Sequence, residues 1–252
     1  MEDAETIARF YEDGYTQAPA DAALFARWRA FGATGKAEHV LALCAGAGLR
    51  PASTLEVGCG DGALLCALHE RGFGGTLAGV EVAQAAVDIA GARPQIGSVD
   101  LYDGEHLPLA DRSFELGILS HVLEHVLDPA ALLAEVARVC SAVVVEVPLE
   151  ANWSARRAGK RAHGAEVGHL RLLDRAAVRA IVAQAGLRIA GELEDPLPLQ
   201  AHNFFADTTP RRAIAAGKWA TRSAVHRLAP GLAHRAFTLH YACLCLPLPP
   251  DA

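Results

Sequence analysis

The chemistry legible in this 252-residue chain begins with one stretch, Leu55-Glu56-Val57-Gly58-Cys59-Gly60-Asp61-Gly62-Ala63-Leu64-Leu65. An apolar strand pattern ends in three glycines at alternate positions, and an apolar helix pattern follows at once. Glycine permits unusual backbone angles there and lets a ligand approach without meeting a Cβ. The helix beyond offers free N–H groups and the positive end of its dipole. The next strand pattern, Leu77-Ala78-Gly79-Val80-Glu81, ends in a carboxylate. In an open α/β sheet a carboxylate at that point accepts hydrogen bonds from ribose hydroxyls. Together the glycines and Glu81 predict a site for an adenosine-type ligand.

Two further residues sit where the same sheet edge should fall. Asp103 follows the third strand pattern, and His121 ends the fourth. An imidazole titrates near neutrality, so His121 is the candidate general base. His169, in a basic loop, is the second catalytic candidate; His125 is expected to pack or hydrogen-bond structurally. No metal site is expected. Cys44, Cys59, Cys66, Cys140, Cys243 and Cys245 form no Cys-x-x-Cys pair and read as reduced, buried thiols.

The elements that must position these residues follow from periodicity. Residues 2–13 and 21–47 read as helices, punctuated by Pro19 and the Gly32–Gly35 pair. From Pro51 onward short β-type runs alternate with helical ones. Strands are predicted at Thr54–Val57, Thr76–Val82, Ile96–Leu101, Phe114–Ser120, Ala142–Val147, Leu187–Leu193 and Phe237–Leu246. Helices are predicted at Ala63–Arg71, Ala83–Ala90, Pro129–Val139 and Asp174–Ala185, the last capped by Asp174 and stopped by Gly186. Near-continuous apolar runs separated by helices indicate a parallel sheet covered on both faces.

Composition bounds the reading. The chain is 52% hydrophobic and 21% charged with net charge −6, which excludes a disordered or generally basic nucleic-acid-binding protein. No apolar run reaches the roughly 18 residues of a membrane helix. The acidic start, Met1-Glu2-Asp3-Ala4-Glu5, is unlike a signal peptide, so a cytoplasmic location is expected. The charge is unevenly spread. Residues 149–171 carry Arg156, Arg157, Lys160, Arg161 and Arg171 against Glu150 and Glu166, and residues 208–250 carry six basic side chains and no acid. Both segments read as insertions over one end of the sheet.

From Pro51 to Leu193 the chain resembles the class I S-adenosylmethionine-dependent methyltransferases, especially the small-molecule group called type 11. Leu55–Gly62 looks like that family's first motif and Glu81 like its ribose-binding acid. Asp103-Gly104-Glu105-His106-Leu107-Pro108 resembles its Asp-Ala-Glu-x-Leu-Pro loop. Ser113–Ile118 and Ser120–Val126 are similar to its fourth strand and the following helix entry, and Gly168-His169-Leu170-Arg171 to a late loop. The resemblance implies a Rossmann-like seven-stranded sheet with helices on both faces. It adds an N-terminal helical lid over residues 1–50 and insertions at about 149–171 and 196–235 of a domain spanning 51–252. It also implies S-adenosylmethionine as cofactor, held by Tyr11, Glu56, Gly58, Cys59, Gly60, Gly62, Glu81, Val82, Asp103, Gly104, Glu105 and Ser120. Tyr15 shares the lid with Tyr11, and Trp28 and Trp153 are candidates for the acceptor pocket or for aromatic packing.

Methyl transfer from a sulfonium needs alignment and exclusion of water more than a catalytic triad. The sequence lacks the Asn/Asp-Pro-Pro-aromatic signature of base and glutamine N-methylation and the Cys-Pro nucleophile of cytosine C5 methylation. A small metabolite methylated on O or N is therefore expected, with no membrane span in the chain and nucleic acid disfavoured as a partner. The narrower expectation is an anionic, natural-product or sugar acceptor, its charge held by Arg156, Arg157 and Arg161. The alternatives are an RNA or protein methyltransferase, a nicotinamide-dependent oxidoreductase suggested by Gly58, Gly60 and Ala63, and a non-catalytic cofactor-binding partner.

Overall fold

Strands buried on both faces need helices on both sides, and the chain supplies them in alternation. The computed structural model describes residues 4–16 and 22–248. Met1, Glu2 and Asp3 of the acidic start, and Pro19, lie outside the described residues. In chain order the elements are α1 (Ala4–Thr16), α2 (Ala22–Gly46), β1 (Ser53–Val57), α3 (Ala63–Glu70), β2 (Thr76–Glu81), α4 (Gln84–Gly91), β3 (Ser98–Leu101), β4 (Phe114–Ser120) and α5 (Pro129–Val139). Then follow β5 (Cys140–Leu149), α6 (Ala158–Glu166), α7 (Arg175–Gln184), β6 (Leu187–Asp195), α8 (Leu199–Asn203), α9 (Thr209–Leu228), α10 (Pro230–Ala236) and β7 (Leu239–Pro247).

One sheet has the order β3-β2-β1-β4-β5-β7-β6. The first five strands in sequence are parallel, as expected, but β7 runs antiparallel to both β5 and β6. The wholly parallel expectation fails at that edge because β6 returns through α8–α10, which brings the chain back at the carboxyl edge of the parallel strands. Leu149 at the end of β5 accordingly pairs with Leu239 at the start of β7.

The two-residue period of each strand assigns its side chains to opposite faces. Val143, Val145 and Val147 of β5, with Tyr241, Cys243 and Cys245 of β7, join the core that includes Val136, Val139, Val178 and Ile181 of α5 and α7. Ala142 and Val144, with Ala242 and Leu244, join the opposite core with Ala33, Ala37, Val40 and Cys44 of α2. By the same alternation Glu146 and His240 belong to the face covered by α2. Gly32 and Gly35 do not punctuate α2, which runs unbroken for 25 residues. Burial of Ala33, Ala37, Val40 and Cys44 outweighs the roughly 0.5–1 kcal/mol that each helical glycine costs.

Helix ends follow the expected chemistry. Asp174 caps α7 by accepting from Ala177 N at 2.8 Å, and Asp128 caps α5 by accepting from Ala130 and Ala131 N. Trp153 N donates to Arg235 O at 2.7 Å, tying the two basic insertions together at one sheet edge.

Gly79 of β2 leaves the room in which the Cys59 thiol lies: a Cβ there would stand 2.6 Å from Cys59 Sγ. Gly79→Ala should therefore cost about 1–3 kcal/mol in urea unfolding by overpacking beneath the glycine loop. Gly91→Ala, where a Cβ meets nothing within 4 Å, should be neutral or stabilising.

Candidate active site

The carboxyl ends of β1, β2 and β4 open into a cleft of about 1280 Å³, closed on one side by α1 and α2. Single-ligand pockets run to about 1,000 Å³, so this one has room for two bound molecules. Its floor is the glycine loop. Gly58 and Gly60 take φ of 70° and 54°, and a Cβ on Gly60 would stand 2.7 Å from the Tyr15 hydroxyl. The loop is fixed from below by Gly58 N donating to Val80 O at 2.9 Å and from the side by Glu81, which accepts from Gly60 N at 2.8 Å and Val82 N at 2.7 Å. Burial raises the Glu81 carboxyl above its usual range against the pull of those N–H donors. Each carboxylate oxygen keeps a second lone pair for a ligand.

Polar atoms without partners mark the rest of this wall. Tyr11 Oη, Glu56 Oε2 and Ser120 Oγ are buried and bonded to nothing within the described protein. An unsatisfied buried polar atom costs about 1–3 kcal/mol, so the wall is suited to a ligand that supplies complementary groups. Burial pushes the Glu56 carboxyl up to about 8, with Lys36 opposing. Asp61, which the sequence reading left without a role, ties α2 to the glycine loop: it accepts from Arg29 Nε of α2 at 2.8 Å and lies 3.5 Å from Arg93 Nη2.

Ten of the twelve expected cofactor residues line the cleft: Tyr11, Glu56, Gly58, Cys59, Gly60, Glu81, Val82, Gly104, Glu105 and Ser120. Gly62 and Asp103 do not. Gly62 is packed beneath Ile96, Ala90 and Arg93. Asp103 is exposed and accepts from Glu105 N at 2.8 Å and His106 N at 2.6 Å, donors that hold its carboxyl below the usual range.

His121 stands on the cleft wall where β4 ends, in the left-handed region at φ 58°. Its Nδ1 lies 3.4 Å from Glu124 Oε1 and its Nε2 3.7 Å from Glu146 Oε1. Burial and Lys36 push its pKa down, but the two carboxylates outweigh them and the net shift is upward. His169 does not reach the cleft wall. It donates to Glu150 Oε2 at 2.7 Å and packs its ring 4.8 Å from that of His125, which lines the cleft. Arg171 donates to the carbonyls of Leu123, Val126 and Leu127, so the Gly168–Arg171 loop clamps the turn after β4.

The opposite wall holds Trp28 and Phe31 of α2, stacked with centroids 5.8 Å apart, and Leu197, Pro198 and Ala201 near α8. Trp153 is 55% exposed and lies away from the cleft. So do Arg156 and Arg157; the side chain of Arg161 lies outside the described residues. The cations that line the cleft are Arg29, Lys36 and Arg138 instead. Arg29 pairs with Asp61, and Arg138 with Glu135 and Asp111, whereas Lys36 has no ion pair among the described residues. Sequence reasoning also missed His39, Glu146, Asp195 and His240. The available signal was a carboxylate inside the apolar run Val143–Val147, since such a group is almost never fully buried unless paired.

A family model described as a methyltransferase domain matches residues 25–191. Solved structures share the fold at low identity. A methyltransferase from Thermotoga maritima, described as S-adenosylmethionine-dependent and a possible histamine N-methyltransferase, is 15% identical with TM-score 0.61, covering 96% of this chain and 100% of that chain. Geranyl diphosphate C-methyltransferase from Streptomyces coelicolor A3(2) is 14% identical with TM-score 0.57, covering 78% and 69%. Magnesium protoporphyrin IX methyltransferase from Synechocystis PCC 6803 is 14% identical with TM-score 0.54, covering 86% and 84%. An uncharacterized 37.1 kDa protein in transposon TN4556 of Streptomyces fradiae is 37% identical over 91 residues, a match spanning 34% of this chain and 26% of that relative. With a glycine loop, an acidic second strand end and the seven-stranded order all in place, the chain belongs to the methyltransferase domain family and has the class I S-adenosylmethionine-dependent methyltransferase fold.

Proposed function

We propose that this methyltransferase holds S-adenosylmethionine against Glu56, the Gly58–Gly60 loop and Glu81, and methylates an oxygen or nitrogen of a small metabolite seated beside His121. The observation that carries this reading is the row of unpartnered polar atoms, Tyr11 Oη, Glu56 Oε2 and Ser120 Oγ, on one wall of a cleft large enough for two ligands. The cofactor is cationic at its sulfonium and amino groups and brings ribose hydroxyls; the wall offers buried carboxylates to both. When bound it supplies a methyl group on a good leaving group.

The protein's own share is alignment, dehydration and proton handling. Arg29 and Asp61 hold α2 over the loop, excluding water from the floor. Placing two reactants in contact accounts for about 7–11 kcal/mol of a bimolecular barrier. Trp28 and Phe31 offer a flat apolar surface to the acceptor, and Lys36 supplies the positive charge that favours an anionic one. The acceptor's proton is handled at the imidazole of His121, which Glu124 and Glu146 flank.

Calorimetry with S-adenosylhomocysteine and NADH tests the cofactor: the first should bind and the second should not. Methyl-labelled cofactor, incubated with a metabolite extract and followed by mass spectrometry, then identifies the acceptor. Glu81→Ala should abolish S-adenosylhomocysteine binding; unchanged affinity would refute the site.

Glu56→Gln should separate binding from stability. The Glu56 carboxyl is raised from 4.5 to about 8 in the folded protein, so folding keeps a proton that the unfolded chain releases. Its contribution is present below about pH 4.5 and is lost as pH rises towards 8. Glu56→Gln should leave Tm nearly unchanged at low pH, raise it above about pH 8, and weaken cofactor binding throughout.

His121→Ala should lower kcat by about 100-fold or more while S-adenosylhomocysteine affinity changes little. Equal loss in both would make His121 a structural residue of the cofactor wall.

A further inference from the structure

Four side chains from four separate elements converge at the acceptor side of the cleft: His39 of α2, His121 after β4, Glu146 of β5 and His240 of β7. Glu146 is 1% exposed, and neither of its oxygens has a hydrogen-bond partner among the described residues. Yet Oε1 lies 3.7 Å from His121 Nε2 and 3.6 Å from His240 Nδ1, and Oε2 lies 3.4 Å from His39 Nδ1. A charge-assisted N–H to carboxylate bond closes to about 2.7–2.9 Å. His169 and Glu150 do so in this same protein, at 2.7 Å. His121 and His240, standing off together from one oxygen of a buried carboxylate, have a different geometry. It is that of donors around a shared ion, since bonds of about 2.0–2.2 Å at tetrahedral angles set donor atoms about 3.3–3.6 Å apart.

The far nitrogens point the same way. His121 Nδ1 lies 3.4 Å from Glu124 Oε1, whereas His39 is held apart, between Glu146 Oε2 and Asp195 Oδ2. A carboxylate behind a histidine fixes its tautomer and ring direction, as it does for metal-bound histidines. The neighbouring group of Glu124, His125 and His169 is less suited, because Glu124 already stands behind His121 and His169 does not line the cleft.

We infer that His121, His240 and Glu146 bind one divalent first-row transition ion at the acceptor wall. A set of imidazoles with one carboxylate suits zinc, cobalt, iron or manganese, whereas magnesium and calcium favour all-oxygen sets. His121 and His240 line the cleft, and three protein ligands leave a position open, so an acceptor oxygen can join the ion's coordination. Bound there, an acceptor hydroxyl loses its proton to water at a lowered pKa, and no other bond changes before methyl transfer. The proton-handling role of His121 then becomes that of holding the ion, and the acceptor atom is oxygen. This role rests on the methyl-transfer reading; occupancy of the site by an ion does not.

The test is titration of the full chain, stripped with chelator, with cobalt(II). One equivalent should produce a saturable visible absorption that zinc(II) abolishes by competition. Glu146→Gln and His240→Ala should each weaken cobalt binding by about 100-fold or more, and His169→Ala should leave it unchanged. Circular dichroism and S-adenosylhomocysteine calorimetry check that each variant is folded. Should Glu146→Gln fail to fold, His240→Ala, at a partly exposed ring, carries the test by itself. No saturable signal in the wild-type chain, or wild-type affinity in the Glu146 and His240 variants, would overturn the inference. Loss of S-adenosylhomocysteine binding by the wild-type chain would instead sink the methyl-transfer reading and leave the ion site standing.

Discussion

Four glutamates buried at one sheet edge set the terms for the whole site. Glu56, Glu81, Glu124 and Glu146 are 4%, 6%, 1% and 1% exposed; the first two close β1 and β2, Glu124 follows β4, and Glu146 lies within β5 opposite Ser120, where β4 ends. Taking an ionised carboxylate out of water costs several kcal/mol unless donors or cations replace the lost hydration. The fold answers each one differently. Glu81 takes two backbone N–H groups of the loop it braces. Glu146 is drawn well below its ordinary pKa, burial opposing, by His121, His240 and His39. Glu124 is lowered by His121 and His125 against the same opposition. Glu56 has only the distant charge of Lys36 and is raised. Of these four, only Glu124 and Glu146 are held below the usual carboxylate range, and the charge they keep in the interior favours a cationic occupant beside them.

That edge exists because of how the strands distribute their side chains. Alternation along β5 sends Val143, Val145 and Val147 into one core and Val144 into the other, and it carries Glu146 onto the α2 side. The antiparallel entry of β7 lays Ala242 opposite Glu146 and His240 opposite Pro148. A parallel β7 would have brought that histidine to the far end of the sheet. The unbroken α2 then spans the cleft, carrying Arg29 to Asp61, Lys36 towards Glu56 and His39 to Glu146. Its two internal glycines open space rather than break it, since a Cβ at either would meet nothing within 4 Å and both line the cleft.

What the sequence made legible was local. A glycine turn between an apolar strand and an apolar helix, with a carboxylate ending the next strand, is written within about thirty residues, and the structure brings these together as expected. Element positions were legible for the same reason, since periodicity and caps such as Asp174 act over a few residues. The rest depends on tertiary contact. His39, Glu146 and His240 lie about a hundred residues apart in sequence, so no spacing could announce them. Asp103 has the right neighbours in sequence but turns its carboxylate back onto its own loop. The arginines of the 149–171 segment were read from charge alone, and charge does not say which way a surface insertion faces.

His121 shows how tightly the acceptor side is specified. A non-glycine residue in the left-handed region carries strain of about 1–3 kcal/mol and persists only where its surroundings over-determine it. Here they do: His121 N donates to Glu146 O at 2.8 Å, extending the β4–β5 ladder by one bond, while Glu124 lies beside Nδ1. Relaxing φ would break the ladder bond and swing the ring away from Glu146 and His240. The strand pairing that forms the sheet is thus the same interaction that aims the imidazole into the cleft. A strained backbone, an unpartnered carboxylate and a histidine cluster at one point are costs that folding alone does not require, which suits this corner of the cleft to the ligands proposed for it.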